Sequence, residues 1–372
     1  MKIRSLHGIH FVSVQKFCTK ERMESKTYFD FTSEFRDGYI SERLQEYTSW
    51  LSSNNSYSKI EEQIIRYTGQ TTISDQKIQQ IVIQKAIEIS ENEAIENVKV
   101  LKNVERIQVV EKVDLYDSHT KEILLFEDGI EVKGQKDERS SKTKKTVSDA
   151  GKGKSHETNV SILECKEGVF RYITEGMSYE ENEMQGLVNN IKKEIVKEYS
   201  QETMPLKVIC ITDGAKRIRK DLTATLTTAI IILDWYHLRK KIRDLLSMIS
   251  INKEEKYKHS NYLRTNCWKG EVVKAIEYLK TEVKTKNESK LKELIGYLEK
   301  HQVEIINYEK RKKLGLCIGS GRMESGVNQS VGLRQKNNIM AWSKKGSRAL
   351  AILKVKELNN EWDSIWSFNK AA

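Results

Sequence analysis

The chain has 372 residues, of which 38% are hydrophobic and 31% charged, a composition typical of a globular protein with room for two or three domains. No apolar run approaches the ~20 residues that cross a bilayer, and the N-terminus lacks the apolar segment of a secretory signal, so we expect no membrane partner and a cytoplasmic location. The five cysteines are widely spaced, which argues against a disulfide framework or a zinc site.

The net charge of +11 is unevenly distributed along the chain. Residues 238–372 carry 29 Lys and Arg against 15 Asp and Glu, whereas residues 1–237 carry 35 against 38. A basic excess confined to one half predicts a polyanionic partner that this half contacts. The alternative is a lysine-rich surface that only water contacts.

Two helices separated by a short glycine-containing turn are predicted between residues 57 and 90. Ile60 and Ile64 lie on one face of the first helix, and Ser74 can cap the second. The pattern is typical of a helix-turn-helix, whose second helix would offer polar side chains to a DNA groove, namely Lys77, Gln80 and Gln84. Four basic and four acidic residues balance in this segment, so a plain helical hairpin is the alternative. We assign residues 1–118 to an N-terminal, mostly helical DNA-binding region.

Residues 119–237 alternate between strand and helix patterns. The apolar run 122–126 predicts a strand that ends in a turn at residues 127–129, and residues 133–156 predict a basic loop that either contacts phosphate or is a solvated tether. The later elements are predicted, in order, as strands 159–165 and 169–174, helix 180–199, strand 206–211, a short helix and strand 229–233. This order is that of a mixed sheet flanked by helices, as in ribonuclease-H-like α/β domains.

The rest of the chain is predicted to be helical. Residues 238–310 are predicted to form a helical insertion with 17 basic and 11 acidic residues, and residues 311–372 to complete the α/β core with C-terminal helices. The basic side chains of this last segment are candidate phosphate contacts, with a solvated helix face as the alternative. They are Arg322, Arg334, Lys336, Lys344, Lys345 and Arg348.

Three carboxylates stand beside glycine at a predicted strand end or helix start: Asp128, Asp213 and Glu324. Together they can hold divalent metal ions against a phosphodiester, because hard cations prefer oxygen ligands. Each acid alone is typical of an ordinary turn or of a first helical turn, so the set of three carries the interpretation. Asp234 also ends a predicted strand and is the rival acid; we expect Asp234 and His237 to lie beside the site rather than in it.

Four blocks of the sequence resemble the signature blocks of DDE transposases and, within these, the Kra-type family of bacterial insertion sequences. The blocks are residues 127–136, 211–218, 232–237 and 319–326. The similarity continues through Arg334-Gln335-Lys336 and Met340-Ala341-Trp342 to Trp362 and Trp366. The similarity therefore covers nearly the whole chain, with the blocks in the same order as in the family.

The resemblance implies a ribonuclease-H-like catalytic domain with a large helical insertion, in which Asp128, Asp213 and Glu324 are the catalytic and metal-binding acids and Mg²⁺ (or Mn²⁺) is the cofactor. It implies a nucleoid-associated transposase that acts on the terminal inverted repeats of its element and on target DNA. Such an enzyme pairs two ends as a homo-oligomer and has no small-molecule substrate. Relatives carry further sequence before the point that corresponds to Met1. One alternative is therefore a truncated, non-catalytic remnant that occupies element ends, and another is a structure-selective nuclease.

Overall fold

The apolar strands of the middle of the chain assemble into one mixed sheet with helices on both faces, as seen in a computed structural model. The structure describes residues 1–18, 25–27, 38–102, 114–117, 120–135, 155–166, 169–177, 187–202, 204, 206–214, 229–321, 326, 328–336 and 340–366. The strands are β1 (Lys2–Ser5), β2 (Gly8–Phe11), β3 (Lys16–Cys18), β4 (Ser25–Thr27), β5 (Tyr39–Ile40), β6 (Lys121–Lys133), β7 (Ser155–Lys166), β8 (Val169–Thr174), β9 (Leu206–Thr212) and β10 (Ile230–Leu233). The helices are α1 (Glu42–Ser52), α2 (Tyr57–Thr68), α3 (Asp75–Leu101), α4 (Leu187–Tyr199), α5 (Trp235–Ile249), α6 (Lys253–Trp268), α7 (Val272–Thr281), α8 (Glu288–Lys300), α9 (Tyr308–Lys313), a π-helical segment (Asn328–Lys336), α10 (Lys344–Leu358) and α11 (Trp362–Ile365).

The central sheet has five strands in the order β10-β9-β6-β7-β8. Strands β6, β7 and β8 pair antiparallel, whereas β9 and β10 run parallel to β6. All seven residues of β9 are buried, as is typical of a parallel strand covered on both faces. Alternate side chains of β9 belong to two hydrophobic clusters. Ile209 and Ile211 pack on the side of α5–α10, and Val208 and Cys210 pack on the side of α4.

Strand β6 is longer than the sequence predicted. The turn expected at residues 127–129 is wrong, because β7 pairs with β6 over ten residues and continues through Asp128↔Val160 and Gly129↔Asn159. The parallel pairing with β9 does end there, at Glu127↔Thr212. Of the predicted basic loop, residues 136–154 lie outside the described residues.

The two helices predicted between residues 57 and 90 are confirmed as α2 and α3. Gly69 ends α2 in the left-handed conformation at φ 71°, and the Ser74 hydroxyl accepts a hydrogen bond from the Lys77 backbone N–H at the start of α3. Helix α3 runs on to Leu101, beyond the predicted pattern, and packs against α10. Before these helices the chain forms a small sheet, β2-β1-β5, that the sequence did not predict.

The helices predicted for residues 238–310 are present as α5 to α9, and the first of them begins at Trp235 directly after β10. Their apolar positions, such as Leu245, Leu263 and Leu294, are buried in the larger of the two clusters that flank the sheet. Within the described part of the chain, no helix is both long and apolar enough to cross a membrane.

Candidate functional site

Two parallel strands end side by side and place acidic residues at one edge of the sheet. Leu233 of β10 pairs with Thr212 of β9, so Asp213 and Asp234 both leave the sheet at this point. The Asp234 backbone N–H donates to the Thr212 carbonyl at 2.8 Å. We call this end of β9 and β10 the acidic edge.

The backbone of Asp128 reaches the same edge from the other side of β9. Glu127 of β6 pairs with Thr212, so Asp128 follows that pair by one residue, as Asp213 does. Neighbouring strands lie about 4.8 Å apart, which makes positions 128 and 213 neighbours. The side chain of Asp128 and the whole of Glu324 lie outside the described residues.

Asp234 is a buried carboxylate with defined partners. It is 1% exposed, and one oxygen accepts the His237 backbone N–H at 2.8 Å, which caps α5. Its other oxygen accepts the backbone N–H of Ser320. Burial by itself would raise the pKa of Asp234, but the hydrogen bonds from His237 and Ser320 outweigh it, so the pKa lies below its ordinary value.

The segment that leads towards Glu324 is fixed against the start of α5. The Trp235 backbone N–H donates to the Ile318 carbonyl at 3.2 Å, beside the bond from Ser320 to Asp234. Gly319 lies on the Tyr236 ring, since a Cβ added there would come within 2.6 Å of a ring carbon. Asp234 therefore joins three parts of the structure: β10, α5 and residues 318–320.

Gly326, two positions after Glu324 in the sequence, is held on the other side of the acidic edge. Gly326 packs against the sheet at β7 and β8, where an added Cβ would lie 2.3 Å from Ile162 and 2.8 Å from Tyr172. Ile162 pairs with Phe126 of β6, two residues before Asp128. Ser320 and Gly326 thus flank β9 and β6.

The helical insertion contributes residues to the acidic edge that the sequence analysis missed. His301 is 1% exposed, and its Nδ1 lies 2.5 Å from a carboxylate oxygen of Glu304. Its ring lies against Gly214, where an added Cβ would be 2.8 Å from Cε1. Burial raises the pKa of the nearby Tyr297 hydroxyl, and three carboxylates raise it further, those of Asp213, Glu304 and Asp234. The separation of His301 and Glu304 by three positions was the signal available in the sequence.

The three polar side chains predicted to read a DNA groove lie on the first turns of α3. Gln80 and Gln84 are exposed, and Lys77 is half-buried. The Lys77 ammonium donates to the Gln80 side chain at 3.5 Å. This surface has the accessibility that a groove-reading helix needs, and its role in DNA recognition stays a prediction.

The predicted phosphate contacts of the C-terminal segment divide by exposure. Lys336, Lys344 and Lys345 are exposed, whereas Arg322 lies outside the described residues. Arg334 is 5% exposed, donates to the Ser52 carbonyl at 3.0 Å and lies over the Trp342 ring. The side chain of Arg348 is 11% exposed and pairs with Glu175 at 3.0 Å. A phosphate could reach either arginine only if this packing opened.

Metal binding depends on residues that are only partly described. Among the described residues, no group of three or more His, Cys, Asp or Glu side chains is arranged to hold a metal ion. Of the three predicted ligands, Asp213 alone has a described side chain, and it is half-buried at the acidic edge. The metal site stays a prediction.

A family model described as an uncharacterised protein family (UPF0236) matches residues 36–363. The chain belongs to this family. No curated protein matches it. Among solved structures, the Drosophila P element transposase strand transfer complex is similar over 82% of this chain and 84% of that chain, with 9% identity and a TM-score of 0.21. A likeness at that level carries no argument about fold or activity. The resemblance of this UPF0236 chain to Kra-type transposases therefore stays a prediction from its sequence.

Proposed function

We propose that this UPF0236 chain is a transposase of the DDE type, which binds the ends of an insertion sequence and cleaves and joins DNA strands. One observation carries the proposal. The backbone positions of Asp128 and Asp213 are neighbours at the acidic edge, and residues on both sides of Glu324 are anchored around that edge.

The arrangement of the sheet supports a ribonuclease-H-like catalytic domain. Strands β6, β7 and β8 form an antiparallel meander, and β9 and β10 then add in parallel on the free side of β6. Helix α4 connects the two parts by a crossover from β8 to β9. This order matches the mixed sheet that the sequence predicted for residues 119–237.

The anchors on either side of Glu324 support its role as the third acid. Ser320 is bound to Asp234 at the end of β10, and Gly326 packs on Ile162 of β7. Four residues of chain span at most about 14 Å, a reach that is consistent with a place for Glu324 at the acidic edge. The strands between these anchors are β9 and β6, which carry the other two acids.

The donor set of these three acids fits Mg²⁺ or Mn²⁺, because hard divalent cations prefer carboxylate oxygens. Asp128, Asp213 and Glu324 would hold the ions. When bound, the ions would polarise the scissile phosphate and activate water or a 3′-hydroxyl group. Asp234 has a different part, since its two oxygens already accept the N–H groups of His237 and Ser320. It positions the segment that carries Glu324.

The test is strand cleavage and joining on DNA that contains the element's ends, with Mg²⁺ or with EDTA. We expect the wild type to cut and join only with the metal. Each nearly isosteric variant of a proposed ligand should lose both reactions and keep DNA binding: Asp128→Asn, Asp213→Asn and Glu324→Gln. Glu277→Gln is the matched control, since Glu277 is an exposed carboxylate on α7. A variant that still cleaves at the wild-type rate removes its residue from the set.

The same assay separates the two alternatives. A truncated remnant would bind element ends and leave them uncut under every metal condition. A structure-selective nuclease would cut branched or end-containing DNA without joining it to a target. In vivo, the proposed enzyme would act on terminal inverted repeats and target DNA as a homo-oligomer that pairs two ends.

A further inference from the structure

A basic groove begins beside the acidic edge, between helices α5 and α6. It encloses a cavity of about 370 Å³. Its polar lining comes from both helices: Tyr236, Arg239, Lys240, Arg243, Ser260 and Arg264. The sequence analysis named none of these residues. It gave a net charge of +14 for residues 238–372, and this sum does not show where on the surface the basic side chains lie.

The groove gathers positive charge that the described residues leave largely uncompensated. Arg239, Lys240 and Arg264 are exposed, and none of them forms an ion pair with another described residue. Within the described part of the chain, Arg243 forms an ion pair with its neighbour Asp244 alone, at 3.2 Å, and both of these side chains are more than half exposed. Four cations around one cavity repel each other, so an anionic occupant would be stabilised there.

The groove leads directly away from the proposed catalytic centre. Helix α5 starts after Asp234, and Tyr236 on its first turn packs on Gly319 of the segment that carries Glu324. Arg239 and Arg243 follow at intervals of one helical turn, so the basic stripe extends about 12 Å from Trp235. A strand held in the groove would therefore arrive at the acidic edge.

We propose that the groove between α5 and α6 binds the sugar-phosphate backbone of a single DNA strand that enters or leaves the candidate active site. Arg239, Arg243 and Arg264 bind its phosphates, since the guanidinium fork matches a phosphate with two parallel N–H donors. Tyr236, 57% exposed at the mouth of the groove, stacks on a base. A cavity of about 370 Å³ lies in the size range of small-ligand sites, which suits one nucleotide of a single strand. This inference rests on the proposed function.

The test compares two triple variants that remove the same charge. The groove variant is Arg239→Gln, Arg243→Gln and Arg264→Gln. The control variant is Lys258→Gln, Lys269→Gln and Lys292→Gln, whose lysines are exposed elsewhere on the insertion. Binding of a short single-stranded oligonucleotide is followed by fluorescence anisotropy over a range of salt concentrations, and circular dichroism confirms that both variants are folded.

We expect the groove variant to bind single-stranded DNA roughly 10- to 100-fold more weakly at ~0.15 M salt, and its salt slope to fall by about 2, because each phosphate contact on a single strand contributes about 0.7. The control should lose less than about threefold. Tyr236→Leu, which keeps an apolar contact with Gly319, should bind about tenfold more weakly with an unchanged salt slope. Equal losses of affinity in the two triple variants would overturn the inference, because binding would then depend on the total charge of the insertion and not on the groove.

Failure of this inference differs from failure of the proposed function. If the wild type cuts and joins DNA while the groove variant binds the single strand as well as the control variant does, only the role of the groove is refuted. If the wild type neither cuts nor binds DNA, the proposed function falls and the groove assignment falls with it.

Discussion

Loss of the Asp234 carboxylate should destabilise the protein more than loss of an ordinary helix cap. In Asp234→Ala, the first turn of α5 loses its capping acceptor, which costs about 1 kcal/mol. Ser320 is only 6% exposed, and its backbone N–H loses its acceptor as well, which costs about 1–3 kcal/mol. We expect the free energy of unfolding to fall by about 2–4 kcal/mol.

Urea denaturation followed by circular dichroism measures this difference, and Asn287→Ala is the matched control. Asn287 caps α8 by accepting only the Lys290 backbone N–H, at 3.2 Å, in an exposed position. Its loss should cost about 1 kcal/mol. If Asp234→Ala costs no more than Asn287→Ala, then the bond to Ser320 adds nothing and the reasoning is refuted.

The dependence on pH provides a second check of the same carboxylate. Because the pKa of Asp234 is lowered in the folded state, its contribution is fully present above the ordinary value of 3.8 and is lost as the pH falls through the folded pKa. The stability difference between wild type and Asp234→Asn should therefore be constant near neutral pH and shrink below about pH 4. A difference that instead grew in acid would contradict the assigned direction.

Three further perturbations test other parts of the structure. Arg311→Met should lower the free energy of unfolding by about 3–5 kcal/mol in urea titrations, because the Glu122 carboxylate loses a buried bidentate partner. A cost below about 1 kcal/mol would mean that the ion pair with Lys207 is enough to stabilise the Glu122 carboxylate. Gly214→Ala should cost about 1–3 kcal/mol, since Gly214 has φ +84° and a Cβ there meets His301; an unchanged melting temperature would rule this out. Alanine at the three polar positions of α3 should reduce the preference for element ends over random duplex in a competition assay and leave non-specific binding unchanged. If the ratio of end binding to random-duplex binding does not change, α2 and α3 are a plain helical hairpin. These positions are Lys77, Gln80 and Gln84.

The elements that the sequence predicted well are those set by local signals. The α2–α3 pair follows from isoleucine spacing, the Gly69 stop and the Ser74 cap, all of which act within one helical turn or two. Strands β9 and β10 follow from continuous apolar runs, which are typical of parallel strands covered on both faces. In these cases local preference and tertiary environment agree.

The errors arose where pairing between distant segments decided the structure. Asp128-Gly129 has the composition of a turn, yet β7 pairs with this part of β6, and β6 continues as a strand to Lys133. The short strands β1, β2 and β5 are likewise held by one another, with too few residues each to give a clear periodic pattern. Backbone hydrogen bonds across a sheet thus overrode the turn preference of single residues.

The candidate site was predicted as a set of acids but not as an arrangement. The sequence identified Asp213 and Asp234 as ends of strands, and the structure puts them side by side. That Asp234 holds Ser320 depends on a hydrogen bond between residues 86 positions apart, which no local pattern contains. For the same reason, the sequence could not show that His301 lies against Gly214.

The helical insertion is part of the acidic edge rather than an appendage to it. Strand β10 is the edge strand of the sheet, and its last residue would leave backbone groups without partners. Residues at the end of the insertion satisfy them: the Leu233 N–H donates to the Glu304 carbonyl at 3.0 Å, and the Tyr308 hydroxyl donates to the Leu233 carbonyl at 2.7 Å. The chain leaves the sheet at Asp234 and is brought back to the same strand end before it reaches Ser320. The insertion therefore satisfies the backbone groups at the end of β10 and returns the chain to the acidic edge at Ser320.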